Sequence, residues 1–221
     1  MKKFICILLV AFSLTTVAQE TINEGVISSK MTMSSSNAEV QGQFDMIGDI
    51  LSTTYFKDDK SRAEVKSMMT GEATSIINNT TKQVLEYRNN PMSGGKTYAE
   101  NTFETTKEDL KGITVVKTNE TKTLLGYECT KYEVSVEQQG ATINMDIFST
   151  NKITAVNKRT TGFGKEFQGF PLLMVVKMNQ MGVDMTMTME VTQVEKKAVS
   201  MDKFDMTPPK GYTKVQGFQG L

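Results

Sequence analysis

Apolar and polar residues alternate one for one along most of this chain, in short runs broken by polar turns. Ile143, Met145 and Ile147 interleave with Thr142, Asn144 and Asp146, and Val183, Met185, Met187, Met189 and Val191 with Asp184, Thr186, Thr188, Glu190 and Thr192. A period of two gives a strand with one apolar and one wet face, the antiparallel signature. Asp58-Asp59-Lys60-Ser61, Asn78-Asn79-Thr80-Thr81, Gln139-Gly140 and Met181-Gly182 supply residues that tolerate tight backbone turns. The pattern predicts strands near 24–34, 52–58, 61–69, 72–79, 82–89, 112–118, 121–138, 141–149, 152–159, 170–179 and 182–195. In the long run at 121–138, Tyr127 and Cys129 occupy one parity and Tyr132, Val134 and Val136 the other, which predicts a bulge near Thr130-Lys131.

Residues 37–51 break the rule. Val40, Phe44, Ile47 and Leu51 recur at helical spacing behind Asn37, a good N-cap, although Gly42 and Gly48 weaken the helix. The Gly-, Asn- and Thr-rich stretch 89–111 reads as a long loop with at most a short helix near 105–110. About eleven antiparallel strands in one domain imply a barrel, a sandwich or a strongly curved sheet.

The first residues carry an address. Lys2 and Lys3 precede an apolar run from Phe4 to Leu14 and small residues at Thr16-Val17-Ala18, as in a cleavable secretory signal over 1–18. The run is shorter than a membrane span and no cysteine follows it for lipidation. The expectation is a periplasmic or secreted protein, with 19–221 as one domain and no integral membrane segment in the mature chain.

Composition narrows the function. The 221 residues contain no His and no Trp, with 25 Lys+Arg against 25 Asp+Glu. Without imidazole there is no Ser-His-Asp or Cys-His relay and none of the commonest zinc or iron sites. Near-neutral charge without a basic stripe argues against nucleic acid as partner. Beyond the signal Cys129 is the sole cysteine, so no intramolecular disulfide forms, and its place on an alternating strand suits a structural thiol. No catalytic residue, metal ligand or cofactor is expected, and the reading is of a non-enzyme.

Methionine is in excess, with 16 in the chain. On a strand Met185, Met187 and Met189 point to one face about 7 Å apart. Three uses fit such a row: packing of a closed core, a cavity for hydrophobic ligands that repacks around varied shapes, or thioether capture of Cu(I). The cavity reading nominates Met31, Met33, Phe44, Ile47, Met145, Met174, Met178, Met185, Met187 and Met189.

Four segments in order, Glu24-Gly25-Val26-Ile27, Tyr55-Phe56-Lys57-Asp58-Asp59-Lys60-Ser61-Arg62, Leu125-Gly126-Tyr127-Glu128-Cys129-Thr130-Lys131-Tyr132 and Phe204-Asp205-Met206-Thr207-Pro208-Pro209-Lys210-Gly211-Tyr212, resemble an uncharacterised domain family of bacterial envelope proteins, frequent in Bacteroidota. That family is similar to the periplasmic lipoprotein carriers LolA and LolB. The resemblance implies a mainly β, LolA-like fold: a half-open antiparallel barrel of about eleven strands around a helical lid, to which 37–51 contributes. It implies an apolar concave face for a lipid or lipoprotein acyl chain or another hydrophobic small molecule. The carriers' early-strand arginine couples lid to barrel, but the surroundings of Arg62 do not match theirs and the role is not transferred. Phe204 and Tyr212 are expected to plug the barrel end. The rival from another class is a structural protein with a closed Met-rich core that docks an envelope protein.

Overall fold

A computed structural model describes residues 20–67, 71–90, 95–103, 106, 108–138, 141–180 and 182–218. The signal at 1–18 and the Gln139-Gly140 turn lie outside these, as does Met181. The strands are β1 (Glu24–Ser35), β2 (Ile50–Lys57), β3 (Lys60–Ser67), β4 (Gly71–Asn78), β5 (Gln83–Asn90), β6 (Gly95–Thr102), β7 (Ile113–Leu124), β8 (Tyr127–Gln138), β9 (Ala141–Thr150), β10 (Phe170–Gln180), β11 (Val183–Glu195) and β12 (Thr213–Lys214). The helices are α1 (Ala38–Ile47) and α2 (Lys158–Thr161), with one-turn helices at Gly164–Glu166 and Met201–Phe204.

All twelve strands form one sheet in the order β12-β6-β5-β4-β3-β2-β1-β11-β10-β9-β8-β7. Every pairing is antiparallel except the short β12–β6 pair. The order is that of two runs of consecutive hairpins, β1 to β6 and β7 to β11, joined where β1 pairs with β11. The expected β class holds, and the sheet is not closed into a barrel: β7 and β12 are its two ends.

The register follows the period-two pattern across the whole sheet. Met31 lies opposite Met189, which lies opposite Met174, then Ile147, then Tyr132; one step on, Met33, Met187, Val176, Met145 and Val134 form the next row. The same face continues through Ser52 and Thr54 of β2, Ala63 and Val65 of β3, Ser75 of β4 and Glu86 of β5. A single cavity is lined both by Glu86 of β5 and by Leu172 of β10. In a flat sheet those strands would lie about 29 Å apart, six spacings of ~4.8 Å, so the sheet curls with this face inside. The outer face carries its own small core, Val26, Ile76 and Leu85 beneath Val199 and Phe204 of the C-terminal segment.

Several expectations are corrected. The predicted strand 121–138 is two strands, because Leu125 (φ 50°) and Gly126 (φ 83°) make a two-residue turn that joins β7 to β8. The irregularity expected near Thr130-Lys131 is present in the β7–β8 ladder, but the extra residues belong to β7: the register shifts between the pairs Lys117–Tyr132 and Thr121–Thr130, while β8 pairs evenly with β9 and buries residues on both faces. The predicted strand 152–159 is an irregular segment entering α2, held by one isolated bridge from Ile22 to Ile153. Within the predicted loop 89–111 lies β6, whose mostly exposed residues give no apolar alternation.

Leucine is an unusual tenant of a left-handed turn position, where Asn-Gly is preferred, and Leu125 is half-exposed. Leu125→Asn is expected to stabilise the fold by about 0.5–1 kcal/mol, read as a rise in the urea midpoint at unchanged slope. A fall in the midpoint would show that the Leu125 side chain contributes packing that outweighs its backbone strain.

Candidate functional site

The connection from β9 to β10 folds back over the inner face and divides it in two. Ser61 of β3 accepts the Val156 N–H at 2.8 Å, and Lys158 reaches Glu86 of β5 at 2.6 Å. Asn157 caps α2 by accepting the Arg159 N–H at 2.9 Å. Further on, Phe163 and Phe167 sit on the apolar half of the sheet, with Phe167 4.8 Å from the Tyr132 ring. Gly164 and Gly169, at φ 72° and 85°, give the positive backbone angles that this tight return requires.

On one side of α2 is an apolar cleft of about 310 Å³. Its floor is Ile143, Met145, Met174, Val176, Met187 and Met189, its flank Ile113 and Val136, and its rim Arg159, Gly162 and Phe163. On the other side is a chamber of about 190 Å³ floored by small side chains, among them Ser29, Ser52, Thr54, Ala63, Ala73 and Ser75. Lys158, Arg159 and Met189 line both. The halves differ because β1 to β5 interleave Ser, Thr and Ala with Met31, Ile50, Val65 and Ile77 on the inner face, where β8 to β11 place Met, Val and Ile.

Electrostatically the site is cationic. Glu86 is the one acidic side chain lining either space, against Arg88, Lys158 and Arg159. Glu86 is nearly buried and engaged by Lys158, and Arg88 stacks on Phe218 at 4.2 Å. Arg159 has no carboxylate partner among the described residues; it donates to Met189 Sδ at 3.0 Å. Desolvation alone pulls its guanidinium below the ordinary arginine value.

The ten nominated residues separate. Met145, Met174, Met187 and Met189 line the cleft, and Met31 lines the chamber. Met33, Met178 and Met185 share the inner face, with Met178 opposite Met185 and Met33 opposite Met187. Phe44 and Ile47 lie on α1, which buries no residue and lines neither space. The cover expected from 37–51 is therefore supplied by the β9–β10 connection, because Phe163 and Phe167 bring aromatic area to the sheet that half-buried Val40, Phe44 and Ile47 do not. Sequence reading missed Arg159, Lys158 and Phe163; the signal that could have found them is the Asn157 cap followed by Gly162, Gly164 and Gly169, which a strand at 152–159 does not need.

Cys129 is fully buried, and burial pushes its thiol up to about 11, away from nucleophilic reach. Arg62 lies on the outer face, donating to Glu64, to the Tyr87 hydroxyl and to the Lys203 carbonyl. Phe204 and Tyr212 pack on that face too, rather than plugging an end. No helix among the described residues is long and apolar enough to cross a membrane.

Residues 24–212 match the model of a family described as a domain of unknown function, DUF4412. No curated protein matches the chain. Two solved structures of PNGF-II, in the C2 and P21 space groups, are similar at 17% identity over 86% and 87% of this chain, with TM-scores of 0.46 and 0.48. The match takes in 31% and 32% of those longer chains.

Proposed function

The chain belongs to this family of unknown function, and from that premise we propose that it is a non-enzymatic periplasmic or secreted binding protein that holds a lipid acyl chain or another hydrophobic molecule on the inner face of its sheet. The observation that carries the reading is the cleft of about 310 Å³ over Met145, Met174, Met187 and Met189. Its volume falls at the lower end of small-molecule sites, ~300–1,000 Å³. Four of its six floor residues are methionines, whose unbranched thioether side chains adapt to ligands of different shape. Met187 and Met189 are half-buried, which supports an accessible apolar surface over a sealed core. The likeness to lipoprotein carriers belongs to the same proposal, with the β9–β10 connection as the cover. The export signal at 1–18 supplies the compartment.

Capture of Cu(I) by the same methionines is the weaker use, because the Arg159 guanidinium lies 3.0 Å from the Met189 sulfur and sets one positive charge against another.

The test is to purify the mature chain, extract it with organic solvent for mass spectrometry, and titrate it with a fluorescent fatty-acid probe. Bound apolar molecules and saturable probe binding are expected. Met187→Glu puts a carboxylate on the cleft floor and should weaken the probe at least about tenfold, ~1.4 kcal/mol, with thermal unfolding changed little. An empty extract together with no saturable binding, or a Met187→Glu protein that binds as well as the parent, ends the reading.

A further inference from the structure

A purely apolar ligand would have no use for a cation that, among the described residues, has no carboxylate partner at the boundary of the two spaces. Arg159 stands where the Met-floored cleft meets a chamber lined by both Ser/Thr hydroxyls and aliphatic side chains, and it lines both. A guanidinium offers five donors in a planar fork, yet the side-chain hydrogen bond it makes is to a thioether, a weak acceptor. The neighbouring cation has its counter-charge, since Lys158 is held by Glu86 at 2.6 Å. Removing a charge from water without a partner is costly, and the lowered pKa of Arg159 reflects that desolvation. The chamber beyond it holds a second unanswered group: the Ser75 hydroxyl is buried and has no hydrogen-bond partner among the described residues, a rare condition for a buried polar atom.

Resting on the binding function proposed above, we infer that the ligand is a single-chain amphiphile with an anionic headgroup, whose oxygens take the Arg159 fork while its chain lies along the cleft over Met174, Val176 and Met187. The arrangement sorts the molecule by chemistry. The apolar cleft removes the chain from water, a gain that grows with each buried methylene. The fork pairs with a carboxylate or phosphate in two parallel hydrogen bonds, and Ser29, Ser52, Thr54 and Ser75 offer hydroxyls among the aliphatic side chains of the adjoining chamber. The excess of Arg88, Lys158 and Arg159 over Glu86 among the lining residues favours the same sign of charge. The Arg159–Met189 contact is then what the headgroup displaces, freeing the thioether to pack against the chain.

Competition against the fluorescent probe tests this with three sixteen-carbon molecules: hexadecanoate and hexadecyl phosphate, each below its critical micelle concentration, and hexadecanol below its solubility limit. In the parent protein both anions should compete at least tenfold more strongly than the alcohol, and the margin should shrink with added salt. Preference for one anion over the other identifies the headgroup class. In Arg159→Gln the margin between anion and alcohol should collapse, while hexadecanol competes as in the parent. Arg159→Lys should retain part of it, because the charge remains without the fork. Should Arg159→Gln fail to fold, the comparison of anion and alcohol in the parent still decides. Equal competition by hexadecanol and hexadecanoate overturns the headgroup assignment and leaves an apolar site standing; no competition by any of the three overturns both.

Discussion

Gly25→Ala is expected to lower the stability by about 3 kcal/mol, at the upper end of what overpacking a core costs. A Cβ on Gly25 would lie 2.3 Å from the Glu195 carbonyl oxygen and 3.2 Å from the Phe56 ring. The first neighbour is backbone and cannot swing aside. The second is a fully buried side chain directly across from Gly25 in the β1–β2 register, packed with Ile27, Phe170 and Leu172. Relief would need β1 to part from β11, and that pairing is the seam between the two runs of hairpins. In a chain of this size the loss corresponds to about 6–12 °C in the melting temperature, measurable by calorimetry and by the urea midpoint. The same change at Gly42 is the control, since an added Cβ there meets nothing within 4 Å. A loss below about 1 kcal/mol at Gly25 would mean that the seam yields, contrary to its position in the sheet.

Arg62→Leu is expected to cost about 2 kcal/mol and to loosen the C-terminal segment, without affecting the inner face. The guanidinium donates to Glu64 at 2.7 Å, to the Tyr87 hydroxyl at 2.7 Å and to the Lys203 carbonyl at 3.3 Å, and its side chain is 18% exposed. Hydrogen bonds to a charged group contribute about 1.5–3 kcal/mol, and partial exposure places this set toward the low end. Loss of the fork leaves Glu64 with Lys203 alone, at 3.7 Å. It also unties the segment that lays Val199 and Phe204 on Ile76 and Leu85. Amide exchange should accelerate over 199–206, while the acyl probe binds as in the parent, because Arg62 and the cleft lie on opposite faces. Weakened probe binding with unchanged exchange would return Arg62 to the lid-coupling role its surroundings argue against.

The four segments that carry the family resemblance prove to be joints of the fold. In Tyr55 to Arg62, Phe56 is core, Lys57 pairs with Glu24 at 2.8 Å, Asp58 and Asp59 turn the chain, Ser61 anchors the inner connection and Arg62 anchors the outer one. In Leu125 to Tyr132, the first two residues turn, Cys129 is core, Lys131 joins Glu133 and Asp146, and Tyr132 meets Phe167. None of these residues but Ser61 lines the candidate site. A sequence motif made of turns and anchors therefore marks the fold and says little of the ligand.

What the sequence alone determined is whatever rests on local periodicity. Most strand positions, the antiparallel class, α1 with its Asn37 cap and the one-sided methionines follow from a side-chain period of two or 3.6, which is printed in any short window; β6, with little apolar alternation, and the irregular 152–159 do not. It also fixed the exclusions that follow from a chain without histidine. Tertiary structure decided the rest. Which strands neighbour across the seam, that the sheet curls without closing, and that Phe163 and Phe167 cover the inner face are pairings between residues far apart in sequence, and no local window records them. Arg159 is the sharpest case. In sequence it is one more cation before two threonines; only the return of the β9–β10 connection sets it between an apolar cleft and a chamber of mixed lining, with no carboxylate partner among the described residues.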